Sequence, residues 1–97
     1  MFQLVFTPEA AHQLSPMSGQ TQHLTKLTKI QKALGHLERD PRHPGLKSHK
    51  YQSLKGVNGE DVWDSYVQNH TPSAWRIFWH YGPGGATITI LTIGPHR

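Results

Sequence analysis

Eight cationic side chains fall between residues 26 and 55: Lys26, Lys29, Lys32, Arg39, Arg42, Lys47, Lys50 and Lys55. Only Glu38 and Asp40 oppose them, so this segment carries +6 of formal charge and the remainder of the chain −2. From Pro41 to Asn58 there is no acid at all, while His43 and His49 sit among the cations. A field of this kind favours a polyanion, either nucleic acid or an acidic protein segment. The plainer reading is a solubilising surface. A second constellation lies in residues 74–81 (AWRIFWHY). Read as a strand, one face carries Trp75, Ile77, Trp79 and Tyr81, and the other Ala74, Arg76, Phe78 and His80. With the more apolar set packed inward, Arg76 and His80 flank Phe78 on the open face, a platform for phosphates and stacked bases. The alternative is that Arg76 pairs with Asp64 or Asp61 on the neighbouring strand.

Other chemistries are disfavoured by what the chain lacks. Without cysteine it has no disulfide scaffold, no thiolate nucleophile and no Cys-based zinc or iron–sulfur site. Eight histidines are present, but none forms an HExxH motif, so neither a metal nor a cofactor is expected. Trp63, Trp75 and Trp79 are assigned to the core, because a small domain needs large side chains to bury. Gly82-Pro83-Gly84-Gly85 reads as a hairpin turn rather than a phosphate loop, since no helix follows it. Hydrophobic residues make up 35 % and charged residues 16 %, which fits neither a disordered chain nor a membrane protein. No apolar run nears the roughly 18 residues of a bilayer span, and MFQLVFTPEA has no basic flank or cleavage site. The expectation is one cytosolic domain over residues 1–97, with no membrane partner.

The elements that must position these residues follow from periodicity. Phe2, Leu4 and Phe6 alternate along an opening strand. Thr7 then caps a short helix with Pro8 in its first turn and Ala10, Ala11 and Leu14 as packing positions. Ser15-Pro16 and Ser18-Gly19 stop it. A second helix spans about 21–39, where Leu24, Leu27, Ile30, Leu34 and Leu37 form one stripe and Lys26, Lys29, Lys32 and His36 stay wet. Asp40-Pro41 ends that helix. Residues 42–50 form a basic loop, 51–54 a short strand, and 62–69, 74–81 and 86–93 three strands of an antiparallel meander. The order is β-α-α-β-β-β-β: an α+β fold with an antiparallel helical hairpin on one face of the sheet.

Several local motifs, in this order, resemble the RelE/ParE superfamily of type II toxins across nearly the whole chain. They are Phe6-Thr7-Pro8-Glu9-Ala10, Asp40-Pro41, Leu46-Lys47, Leu54-Lys55-Gly56, Trp75-Arg76-Ile77-Phe78-Trp79 and the closing Ile93-Gly94-Pro95-His96-Arg97. The resemblance implies one of two activities. RelE-like members cleave mRNA in the ribosomal A site, whereas ParE-like members poison DNA gyrase without cutting. Both kinds are neutralised by an acidic antitoxin, which suits the basic segment. A detoxified homologue that only binds its antitoxin is a third reading.

RNA cleavage without a metal needs a base for the ribose 2′-hydroxyl, a stabiliser of the phosphorane charge and an acid for the leaving 5′-oxygen. Arg76 matches the family's catalytic strand arginine and would stabilise the charge. Lys47 and Lys50 would assist it or hold the RNA backbone, together with Arg42, Lys55, Phe78 and Arg97. His96, His80 and His49, in that order, are the candidates for acid and base. His96 falls where some RelE-like members carry a catalytic histidine. RelE itself has two lysines on the strand before its arginine strand. Here Val62-Trp63-Asp64-Ser65-Tyr66 has none, so histidines take over proton transfer or nuclease activity is weak or lost.

Overall fold

The structure, a computed structural model, describes residues 1–15, 24–67 and 74–95. The expected turns at 16–19 and 71–73, the first residues of the second helix, the end of the 62–69 strand, His96 and Arg97 lie outside them.

β1 (Gln3–Phe6) leads into α1 (Pro8–Leu14), and α2 (Leu24–Arg39) into a 3-10 turn at Pro44–Leu46. Four strands follow: β2 (His49–Lys55), β3 (Asp61–Tyr66), β4 (Trp75–Tyr81) and β5 (Thr87–Pro95). The sheet order is β1-β5-β4-β3-β2. β2 to β5 run as an antiparallel meander, and β1 adds to its far edge parallel to β5, with Gln3 opposite Thr87 and Phe6 opposite Ile90. The α+β order read from periodicity is therefore the order of the fold.

Both helices cover one face. Ala10 of α1 and Ile30, Ala33 and Leu37 of α2 cluster with Ile77, Trp79, Ile88, Ile90 and Ile93. Ile88 and Ile90 face this core by simple alternation, but Ile93 is out of phase by one residue. A bulge corrects it: Phe78 stands opposite Thr92 and Trp79 opposite Ile90, which leaves Leu91 as the extra residue and returns Ile93 to the core. β1 ends at this point, and α1 continues its edge. The Thr7 backbone N–H donates to the Ile90 carbonyl (3.0 Å) and the Thr7 hydroxyl to the Leu91 carbonyl (2.7 Å). The Gln13 carboxamide accepts from the Ile93 N–H (2.7 Å) and donates to the Thr92 hydroxyl (2.8 Å).

Three side chains differ from the helical pattern. Ala11 is exposed rather than packed, because the short α1 turns only Ala10 fully inward. Lys26 is not simply wet: its ammonium lies 4.3 Å from the centre of the Trp75 ring. His36 stacks on His43, with ring centres 4.0 Å apart.

Candidate active site

The uncovered face of the sheet carries every second residue of β3 and β4, and the antiparallel register decides which of them meet. Arg76 lies opposite Tyr66, and Phe78 opposite Asp64. His49 of β2 lies opposite Asp64 from the other side. Asp64 is fully buried between these neighbours. Its Oδ1 accepts from Arg76 Nη1 at 2.9 Å, and its Oδ2 lies 3.2 Å from His49 Nε2. The Arg76 guanidinium is stacked 3.5 Å from the centre of the Tyr66 ring, and Lys47 Nζ lies 5.9 Å from the same centre. Arg76 is 12 % exposed, whereas the His49 side chain is 50 % exposed. Arginine, carboxylate and imidazole thus form one line from the floor of the sheet to solvent.

Each member depends on the others. A buried carboxylate needs a cation to offset its lost hydration, and Arg76 provides it through its hydrogen bond to Oδ1, with the His49 ring close to Oδ2. His49 Nδ1 lies 3.2 Å from the Lys47 carbonyl oxygen, so both ring nitrogens face acceptors. The ring donates to both only when it carries two protons. Lys47 itself has a left-handed backbone (φ 47°, ψ 44°) at the end of the 3-10 turn, which swings the chain into β2 and places its side chain near Tyr66.

The basic segment does not converge as a whole. Lys47 and His49 join Arg76, but Lys50 and Lys55 project to the other side of the sheet. Lys50 lies 3.3 Å from Asp61 and 5.7 Å from the Trp63 ring centre, and Lys55 donates to Asp61 at 2.5 Å. These lysines hold the Asp61 carboxyl below its ordinary range, mainly through hydrogen bonds from Lys55 and then Lys50. Arg42 is exposed on that same far side, beside Trp63 and Trp79. His80 shares a face with Arg76 but not a site: four residues of strand separate them by about 13 Å. It is 5 % exposed, with Nδ1 2.9 Å from the Tyr81 carbonyl oxygen. A side chain on Gly56 would come within 3.0 Å of its ring, so the β2–β3 turn closes over it. Phe78 is 2 % exposed beneath Tyr51, whose ring meets it edge-on at 5.1 Å, and so offers no open stacking surface. Tyr66 was not singled out in the sequence, and Asp64 only as a pairing partner. Their alternation on β3 against Arg76 is the signal that joins them. Among the described residues no group of three or more metal-ligating side chains is gathered.

No protein-family model matches the chain, and no curated protein matches it. Solved structures do. The YoeB/ParE toxin from Agrobacterium tumefaciens superposes with a TM-score of 0.71 at 17 % identity, covering 99 % of this chain and all of that one. This is the RelE/ParE toxin fold. The archaeal RelE–RelB complex from Pyrococcus horikoshii OT3 matches at 0.66 and 14 % identity, covering 97 % and 93 % of the two chains. The intact E. coli RelBE toxin–antitoxin complex matches at 0.62 and 14 % identity, over 100 % and 99 %. At these identities the likeness is one of fold. No described helix is long and apolar enough to cross a membrane.

Proposed function

We propose that this chain is a single-domain toxin of a type II toxin–antitoxin pair that acts in the cytoplasm and cleaves ribosome-bound mRNA by attack of a ribose 2′-hydroxyl. The observation that carries this reading is the half-exposed His49 backed by Asp64, with Arg76, Lys47 and Tyr66 gathered beside it. The neutral His49 ring takes the 2′-hydroxyl proton, and the imidazolium so formed faces the Asp64 carboxylate and the Lys47 carbonyl. The 2′-oxygen bonds to the adjacent phosphorus and the 5′-oxygen departs, leaving a 2′,3′-cyclic phosphate. Lys47 and the outer edge of the Arg76 guanidinium stabilise the phosphorane charge. The acid for the leaving oxygen is assigned to His96, the first choice from the sequence. An acidic antitoxin is the partner that the basic segment suits, and RelE structures with RelB support that pairing.

The test is primer extension on ribosome-bound transcripts. Wild-type protein should produce cuts, and His49→Gln should lose them by about 10²–10⁴-fold, the usual contribution of a general base. Uncut transcripts with folded wild-type protein would overturn the nuclease reading, and full cutting by His49→Gln would remove His49 from it. The second reading is a gyrase poison that acts by binding, favoured by the small exposure of Arg76 and the commitment of its Nη1 to Asp64. Inhibition of gyrase supercoiling by purified protein, with transcripts left intact, would establish that reading instead.

A further inference from the structure

The covered side of the sheet carries a concavity beyond the helices, about 380 Å³ in volume and on the opposite side from His49, Asp64 and Arg76. Trp63, Trp79 and Tyr81 of β3 and β4 line it, with Arg42, His43 and Ser48 from the segment between α2 and β2. The three rings form a corner. Trp63 and Trp79 lie within 23° of parallel at 6.2 Å, and Tyr81 meets Trp79 edge-on at 5.0 Å and 81°. Trp79 is 1 % exposed and its Nε1 already donates to Ser65, so it is the floor. Trp63 is partly buried and Tyr81 is 41 % exposed, and these are the walls a ligand would touch.

The polar side chains that line the cleft include a cation and two groups able to donate, and beside them Asp40 Oδ1 accepts from the Arg42 backbone N–H at 3.1 Å. Arg42 makes no ion pair with any described residue, and no carboxylate lines the cleft. His43 Nδ1 accepts from the Gly45 N–H at 2.9 Å, so the neutral ring keeps its proton on Nε2 as a donor. Stacking on His36 fixes that ring. The Ser48 hydroxyl, 2.6 Å from that of Ser65, adds a further polar group. Lys50 near Trp63 adds positive potential at the rim, partly answered by Asp61. A purely apolar ligand would leave Arg42 and His43 unused, and a lone phosphate would leave the rings unused. A flat heteroaromatic ring joined to an anionic oxygen uses both, and the volume lies within the usual range for small-molecule sites.

We infer that this cleft binds one nucleotide, its base against Trp63 and Tyr81 and its phosphate at Arg42. The same chemistry is offered by a free nucleoside monophosphate and by a nucleotide splayed from single-stranded RNA. The inference does not rest on cleavage, since the site lies across the sheet from His49. The test is tryptophan fluorescence of the full chain, titrated with the four nucleoside 5′-monophosphates and separately with an uncleavable 2′-O-methyl RNA hexamer. Saturable quenching is expected, weakened roughly tenfold by Arg42→Ala and by Tyr81→Ala, both at exposed positions. Val57→Ala, at a turn position exposed to 98 % and in neither site, should bind the monophosphates as tightly as wild type. Saturation by monophosphates identifies a free nucleotide as sufficient, and saturation by the hexamer alone, weakened by Arg42→Ala and Tyr81→Ala, identifies a strand in this cleft. The inference is overturned if neither probe saturates, if both variants bind like wild type, or if inorganic phosphate competes as well as the nucleotides.

Discussion

Asp64 is the residue on which the candidate site turns, because its charge has no water to answer it. Removing Arg76 would take the permanent cation from a buried carboxylate, a loss of about 3–5 kcal/mol out of the roughly 5–15 that hold a small domain folded. Arg76→Met should therefore lower the urea midpoint steeply, and adding Asp64→Asn should restore part of the loss. If the double variant loses the sum of the two single losses, the two do not form a coupled pair. This is also why a cleavage test rests better on the half-exposed His49 than on Arg76. His36 offers a separate test of the stacked histidine pair. Its pKa is lowered below 6.5 by desolvation first, and then by His43, Arg39 and Lys32. A depressed folded value means that its contribution to stability is present above the unfolded pKa of about 6.5 and is lost as pH falls through the folded one. Thermal unfolding should thus worsen from pH 7.5 to 5 more for the wild type than for His36→Gln. Parallel curves would contradict that account.

At the scale of elements, β5 shows how a short helix can stand in for a missing strand. β1 pairs with β5 only as far as Ile90, and beyond it Thr7 and Gln13 take over the ladder. Gln13→Leu would leave the Ile93 N–H without its acceptor and should cost about 1–3 kcal/mol in chemical denaturation. Gln13→Glu keeps the acceptor and should cost less. The turn that carries Lys47 allows geometry and charge to be separated. A left-handed conformation disfavours a residue with a Cβ by about 1–2 kcal/mol, so Lys47→Gly should keep stability within about 1 kcal/mol of wild type. On the proposed mechanism it should nevertheless weaken RNA cleavage, because the ammonium near Tyr66 is gone. A large loss of stability would mean that the side chain, rather than the backbone, holds the turn.

For the molecule as a whole, the formal charge of +4 is split across two faces. Lys47, His49 and Arg76 line the open face, while Arg42, Lys50 and Lys55 lie on the other. A strand held on the open face would meet two permanent cations, Lys47 and Arg76. Its affinity should fall about 7-fold between 50 and 200 mM salt, from the slope of roughly 0.7 per phosphate contact for single strands. Binding of an uncleavable RNA at both salt concentrations measures this, and a salt-independent affinity would argue against an electrostatic interface.

The sequence by itself determined the order of elements, the capping of α1 by Thr7, the stripe of α2 and the face on which Arg76 emerges. Each of these depends on neighbours within a few residues, where spacing alone dictates direction. The sequence left Asp64 and Asp61 both open as partners for Arg76, and the β3–β4 register selected Asp64. Tertiary structure decided the rest. The pairing of β2 with β3 brought His49 to Asp64 and turned Lys50 away, the β4–β5 bulge brought Ile93 back to the core, and the β2–β3 turn closed over His80. Those outcomes depend on register between distant segments, and a shift of one residue in register exchanges the two faces of a strand without altering its pattern in the sequence.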